Sequence, residues 1–480
     1  MSEAHTIDTA IDDEAVAALT AGMRGACLTP GDAGYDDARV IWNGSIDKHP
    51  AIIARCTGVA DVIDAVNFAR ANGVLVAVRG GGHNVAGNAV CDGGIVIDLG
   101  AMNAIRVDVA AHRVRAGGGA TIGDVDRETL AFGLAVPLGI VSGTGIAGLT
   151  LCGGHSWLNR KHGFACDNRV SVDMVTADGQ YLTASEAQNA DLFWAVRGGG
   201  GNFGIVTSFE FEAHPTGPEV TFCGPFYPLK DARDAARIFR YWRDFVADAP
   251  DEYTANFLFW TIPAHENFPA ELHGRPVVIP AGMHCGPVAE GAQYIQPLRE
   301  LGEPLLDISG TLPYSALQQA FDPYFTIKRE RRNHWKSLYH DTLDDDAIDR
   351  IVARALDRPH PTSLLAIRHM GGAAARVPAE TTALGGREAN FMLSIDTSWT
   401  DPADSDRAIA WTRDFWDEMR QGTGGGIYLN FLGDGEDNEA MLRASYGDAT
   451  FERLVAVKTK YDPENFFRLN QNIQPMPRTG

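Results

Sequence analysis

No apolar run in this sequence approaches the roughly 18 residues that a membrane-crossing helix needs. The cysteines at positions 27, 56, 91, 152, 166, 223 and 285 are scattered, odd in number and without a Cys-x-x-Cys pair. Neither a zinc site nor a disulfide framework is therefore expected. Basic side chains are also scarce: 41 Lys and Arg against 62 Asp and Glu give a formal charge of −21. A phosphate backbone or an anionic bilayer would be repelled, so neither nucleic acid nor membrane is expected as a partner. The opening residues MSEAHTIDTA lack the basic start and apolar stretch of a secretory signal. We expect a soluble, cytoplasmic protein that works on small molecules, with its oligomeric state open.

The 480 residues, 45% hydrophobic and 21% charged, are enough for two or three domains with a substantial core. Apolar spacing predicts helices over 13–23 and 59–71, the second stopped by Gly73. Strands are predicted over 74–78, 94–99, 106–115 and 203–211, with a hairpin over 170–181 turning at Asp178-Gly179. Thr121 is placed to cap a helix through Leu130, and Asp191 to cap a short one over 192–197. Around His214-Pro215-Thr216-Gly217-Pro218 the texture changes, which suggests a domain boundary. Beyond it come long amphipathic helices over 231–249 and 406–419, whose Trp242, Trp411 and Trp416 are expected in the core. A helix over 451–461 ends at Asp462-Pro463.

What the chain has in quantity is glycine between strands. Arg79-Gly80-Gly81-Gly82-His83-Asn84 follows a strand, and glycines in such a turn let backbone amides approach a phosphate. Two stretches match the dinucleotide spacing G-x-G-x-x-G, at Gly143 to Gly148 and at Gly199 to Gly204. The first follows Pro137-Leu138-Gly139 and shows no evident helix after it; the second leads into a strand. A nicotinamide Rossmann turn must instead join a strand to a helix. Several glycine loops between strands suit one long ligand touched at many points, and FAD is such a ligand.

Taken in order, these loops resemble the berberine-bridge-enzyme-like FAD-linked oxidases of the vanillyl-alcohol-oxidase, or PCMH-type, superfamily. The resemblance rests on Val78 to Asn84, Gly148-Leu-Thr-Leu-Cys-Gly-Gly154, Asn159-Arg-Lys-His-Gly163, Asp167-Asn168, Phe193-Trp-Ala-Val-Arg-Gly198 and Asn202-Phe-Gly204. It continues through Tyr428-Leu-Asn430-Phe431 and Tyr461 to Asn472. Small bacterial members of the family are the most similar. The resemblance implies an α+β, two-domain PCMH-type FAD-binding fold, with a substrate domain of antiparallel sheet covered by helices. The FAD domain would span 1–215, the substrate domain 216–439, and a C-terminal segment 440–480 would return to the FAD domain.

The same resemblance implies FAD attached covalently through His83, a reasonable role for a neutral imidazole nucleophile. Family members with a second link use a cysteine at the position that is Val141 here. A single linkage is therefore expected, with Cys152, where the family usually has glycine, as the alternative second anchor. Arg79, Gly80, Gly81, Gly82, Asn84, Gly87, Gly143, Thr144, Gly148, Cys152, Gly153, Gly154, Ile205, Asn470 and Asn472 are expected along the cofactor, although any one glycine could simply serve a turn. Tyr428 is expected as the catalytic base. His155 is expected nearby as a buried, hydrogen-bonded ring or a proton carrier.

Arg368, His369 and Trp399 are candidates for the substrate cavity. Alternation puts Arg368 and His369 on opposite faces of one strand. An arginine facing the cofactor would favour an anionic substrate; otherwise it is a salt-bridged sheet residue. The implied activity is hydride removal from a CH–OH or CH–NH group with O₂ as acceptor, giving H₂O₂. A dehydrogenase using another acceptor and a catalytically silent flavin-binding protein are the alternatives. No metal is expected.

Overall fold

The computed structural model describes residues 11–326, 330–433, 435 and 439–477. Near the N-terminus, Ile52–Arg55 and Val76–Arg79 flank Ile95–Asp98 as parallel strands, with Cys27–Leu28 on the outer edge. Helix Val59–Ala71 makes the crossover and buries Val62, Ala65 and Val66 against this sheet. The parallel register puts Arg55 and Arg79 on either side of Asp98. Arg79 Nη2 lies 2.8 Å from the Asp98 carboxylate, and the pair is buried. The glycine turn begins where this strand ends.

A second, antiparallel sheet runs in the order Ile105–Asp108, Arg113–Gly117, Ile205–Glu212, Arg169–Val175, Tyr181–Ser185. The single strand expected over 106–115 is therefore two, reversed through a turn at 109–112 in which His112 has φ 50°. Alternation continues across so short a turn, which is why the sequence does not reveal it. The helix Ile122–Leu130 starts as expected: Thr121 and Asp124 form a reciprocal capping box. The next expectation fails. Helix Ala190–Ala195 begins after Asn189, and Asp191, inside its first turn, accepts from Lys460 and Tyr461 instead of capping.

The largest sheet has nine strands, drawn from Glu219–Cys223 to Phe391–Trp399. Its central strands are antiparallel, in the order Pro276–His284, Tyr253–Thr261, Leu364–His369, Phe391–Trp399, Arg332–His340. Helices Ala232–Val246 and Ser405–Arg420 bury Trp242, Trp411 and Trp416 in the same core as Phe257, Phe259, Ile367, Leu393 and Ile395 from one face of that sheet. The other face is left for the site.

Helix Asp448–Tyr461 carries the chain back to the N-terminal half. Lys458 is fully buried; its Nζ donates to the Asp462 carboxylate at 2.6 Å and to the carbonyls of Asn202 and Phe467 at 2.9 Å. Asp462 in turn accepts from the amides of Phe466 and Phe467. Asn202 then holds the last segment, donating to the Gln471 carbonyl and accepting from the Ile473 amide. Among the described residues, no helix is long and apolar enough to cross a membrane.

Candidate active site

The glycine turn is shaped first by another loop. A Cβ on Gly81 would stand 2.3 Å from the Gly145 nitrogen, and one on Gly145 would stand 2.2 Å from the Gly81 nitrogen. The two loops cross in contact, so these glycines are required whether or not a ligand binds. Elsewhere the bare backbone faces space: a Cβ on Gly148 or Gly201 would meet nothing within 4 Å, and both residues line a cavity. Among the described residues, no acceptor takes the backbone N–H groups of Gly81, Gly82, His83 and Asn84. Four unclaimed amides in one turn form a nest suited to a phosphate.

His83 sits at the end of that turn and lines the same cavity. Its ring stacks on Trp42, centroids 5.6 Å apart and planes 20° from parallel, while Nδ1 lies 3.4 Å from Thr144 Oγ1. Burial pulls its pKa down to about 4, so the imidazole is neutral near pH 7. Trp42 is itself fixed, donating from Nε1 to the Phe325 carbonyl at 2.7 Å. Its neighbour Asn43 bridges the carbonyls of Val85 and Asn333. The short Trp42-Asn43 segment thus ties the histidine turn to the chain leading into the edge strand Arg332–His340.

The cavity continues past Thr144, Gly148, Cys152, His155 and Ile205. Gly143 to Gly148 does run into a helix, Ile146–Leu151, contrary to the sequence reading; its six residues are too few for periodicity to show. The strand before it, Leu134–Ala135, has two residues and ends well short of Gly143, so the direct strand-to-helix turn of the nicotinamide fingerprint is still missing. Burial raises the Cys152 thiol to about 12, which keeps it protonated. Val141 also lines the cavity.

Tyr428 closes this part of the cavity. Ser337 Oγ accepts from the Tyr428 amide at 2.9 Å and donates to its carbonyl at 3.2 Å, which pins the residue to the nine-stranded sheet. The Tyr428 hydroxyl oxygen accepts from the Gly154 amide at 3.2 Å and from Asn430 Nδ2 at 2.9 Å. Burial pushes its pKa up to about 12 in spite of those donors. The His155 ring meets Tyr428 edge-on, with centroids 4.6 Å apart. Burial, with Arg368 nearby, lowers His155 to about 3, and its Nε2 has no partner among the described residues. The hydrogen-bonded histidine expected from sequence is therefore not observed.

Strand register determines what the sheet presents opposite. Asp396 pairs with Leu364 and Trp335, Arg368 with Asn256 and Met392. Period two then puts Trp335, Asp396, Arg368 and Leu258 on the cavity face, and all four line it. Arg368 lies over the Phe431 ring at 5.3 Å. His369, on the other face at the strand end, borders the cavity but packs on Phe391 and approaches Arg160. The alternation argument for these two residues holds. Trp399, an odd number of residues from Asp396, faces the helix layer and donates Nε1 to Ser405 Oγ at 3.0 Å; it does not line the cavity.

Six of the expected cofactor positions, Arg79, Gly87, Gly143, Gly153, Gly154 and Asn472, lie outside the lining. Arg79 is turned back to Asp98, while Gly87, Gly153 and Gly154 form left-handed turns against neighbouring chain. Gly143 stands beside His83, and Asn472 lies behind Gln471, which does line the cavity. Gly80, Gly82, Asn84 and Asn470 line it as expected. Buried oxygens without a partner on Asn470 and Asn472 are further places where a polar ligand would complete the site.

Sequence reasoning missed Asp396, whose carboxyl burial raises to about 6 although Arg368 and the Ser394 hydroxyl oppose the rise. One signal was available. In the strand Phe391–Trp399 it is the only ionisable residue, and it shares a face with Ser394 and Ser398. The amide nest, the open faces of Gly148 and Gly201 and the unpartnered asparagine oxygens together fit a long phosphate-bearing cofactor such as FAD.

Known proteins agree with that fit. Residues 50–185 match the family described as FAD binding domain, and residues 428–474 the family described as berberine and berberine like. An uncharacterised FAD-linked oxidoreductase of Bacillus subtilis, YgaK, is 31% identical over 95% of this chain and 98% of its own. The (R)-6-hydroxynicotine oxidase of Paenarthrobacter nicotinovorans is 31% identical over 94% and 97%. The crystal structure of 6-hydroxy-D-nicotine oxidase from Arthrobacter nicotinovorans superposes with a TM-score of 0.83 at 29% identity, covering 95% of this chain and 98% of that one.

Proposed function

The chain belongs to the berberine-bridge-enzyme-like FAD-linked oxidoreductases, and from that premise we propose that it is an oxidase of a small organic molecule. It takes a hydride from a CH–OH or CH–NH carbon and passes the electrons to O₂, giving H₂O₂. The observation that carries this reading is one cavity lined by both the His83 turn and the Asp396, Arg368, Tyr428 and His155 cluster. FAD held in that cavity supplies the hydride acceptor. His83 is its covalent anchor, supported by a neutral ring held between Trp42 and Thr144. The linkage is single, because Val141 stands at the position of the family's second anchor and Cys152 stays a thiol.

Loss of hydride from carbon requires loss of a proton from the attached oxygen or nitrogen. Asp396 is the base, since a carboxyl with a pKa of about 6 is largely ionised at pH 7. Tyr428 was the first candidate from sequence, but its oxygen already receives two N–H groups and its proton is held to about 12. It instead offers its O–H to the substrate heteroatom and fixes the angle of approach. Neutral His155 adds a second uncharged polar contact, and Trp335, Trp157 and Leu258 keep water from the reacting carbon. Peroxide release across hydroxylated amines, aromatic alcohols and sugars tests the proposal, together with air reoxidation of photoreduced protein. Slow reoxidation would make it a dehydrogenase; no bleaching with any compound under anaerobic conditions would make it a binding protein.

A further inference from the structure

Arg368 is a cation held in the cavity wall with no hydrogen-bond or carboxylate partner among the described residues. Among the described residues its guanidinium makes no hydrogen bond and has no carboxylate within 4.0 Å, and its Nε is completely enclosed. The salt-bridged sheet residue considered from sequence is therefore not what the structure contains. An arginine stays charged even when buried, and a buried charge without a partner is strongly unfavourable. It lies over the Phe431 ring, a contact that does not use its N–H donors. Asp396 shares the face of the sheet but is beyond ion-pair distance, and its Oδ1 is taken by Ser394.

We propose that Arg368 receives an oxyanion of the substrate, a carboxylate or an ionised phenol, carried on a flat aromatic body. The proposal rests on the oxidase reading for its setting and deepens it by naming the substrate class. Five planar N–H donors match a two-oxygen anion bidentately. The other groups beside Arg368 are uncharged or reserved: His155 is neutral, Tyr428 keeps its proton, and Asp396 is needed as the base. Beyond them the lining turns apolar and flat, with Trp335, Phe325, Leu258 and Leu364 suited to a ring rather than a sugar. The oxyanion would anchor one end of the molecule so that the carbon to be oxidised lies between Asp396 and the His83 turn.

The test is calorimetric titration of the holoprotein with 2-naphthoate and with its uncharged counterpart 2-naphthamide, flavin content being measured separately on the same samples. Naphthoate is expected to bind about 10-fold or more tightly than the amide. Arg368→Gln should weaken naphthoate about 30-fold or more and abolish that preference, with Arg368→Lys intermediate and amide binding little changed. Equal affinity for acid and amide in the unaltered protein would overturn the proposal. So would an acid preference that survives Arg368→Gln, or a variant whose flavin potential shifts while naphthoate binds as before. Absence of flavin from the purified protein would count against the oxidase reading instead, since the titration does not depend on flavin colour.

Discussion

Removing the charge at Asp126 should stabilise this protein above neutral pH and do nothing in acid. Asp126 lies on the helix Ile122–Leu130, with Oδ2 accepting from Gln318 Nε2 at 3.0 Å and Oδ1 unpartnered. Burial lifts its carboxyl from the ordinary 3.8 to about 7; Gln318 opposes the rise and Asp322 adds to it. The Tyr314 hydroxyl, also buried and unpartnered, is the other titratable group close by. Because the folded value is above the unfolded one, the stability linked to this group is full below about pH 4. It is lost as the pH rises to about 7 and is constant thereafter. At about 1.4 kcal/mol per pH unit, the interval corresponds to about 4 kcal/mol. Asp126→Asn keeps an acceptor for Gln318 and cannot ionise, so it should recover most of that amount at about pH 8. Unfolding entropies near 2.1 cal/mol/K per residue make about 1 kcal/mol equal to about 1 °C for a cooperative chain of this length. Scanning calorimetry should therefore show Tm raised by about 4 °C at about pH 8 and unchanged at about pH 4. An equal gain at both, or none at the higher pH, would refute the reasoning.

Other perturbations have equally definite outcomes. Asp396→Asn should lower kcat about 10²-fold or more with flavin retained. In the unaltered enzyme kcat/KM should fall as the pH drops through about 6, since the base must be ionised; a profile flat to pH 5 would remove Asp396 from that role. Tyr428→Phe should cost roughly 10-fold by losing one O–H donor, and full turnover with normal flavin content would show the hydroxyl to be idle. After acid precipitation the yellow colour should remain with the protein, wash away from His83→Ala, and persist in Cys152→Ala. Lys458→Met should destabilise by about 3–5 kcal/mol, because Asp462 keeps its buried charge without a cation, and replacing both residues with apolar side chains should recover much of the loss in a double-mutant cycle.

Much of the site was legible because its parts are local in sequence. The histidine turn, Gly148 and the Tyr428 to Asn430 stretch are each defined by a few consecutive residues, and helix Val59–Ala71 and the Thr121 cap could be read the same way. What could not be read depends on pairing between distant strands. The sequence near 368 cannot tell that Asn256 lies beside it, and without that register Asp396 looks like one more acid in an acidic chain. Trp399 is a cavity candidate from sequence, yet its odd spacing from Asp396 sends it to the helix side. Glycine was ambiguous for another reason: Gly81 and Gly148 look alike in the sequence, but one serves a crossing of two loops and the other leaves open space.

One wall of the cavity comes from residues nearly 400 positions along the chain from the histidine turn. Asn470 and Gln471 line the cavity, and the contacts of Lys458 with Asp462 and of Asn202 with Gln471 and Ile473 hold that segment in place. A product broken off before Asp462 would carry the histidine turn, Asp396 and Arg368 but not this wall. Such a chain should hold the cofactor less tightly than the intact one, although every residue of the histidine turn is present.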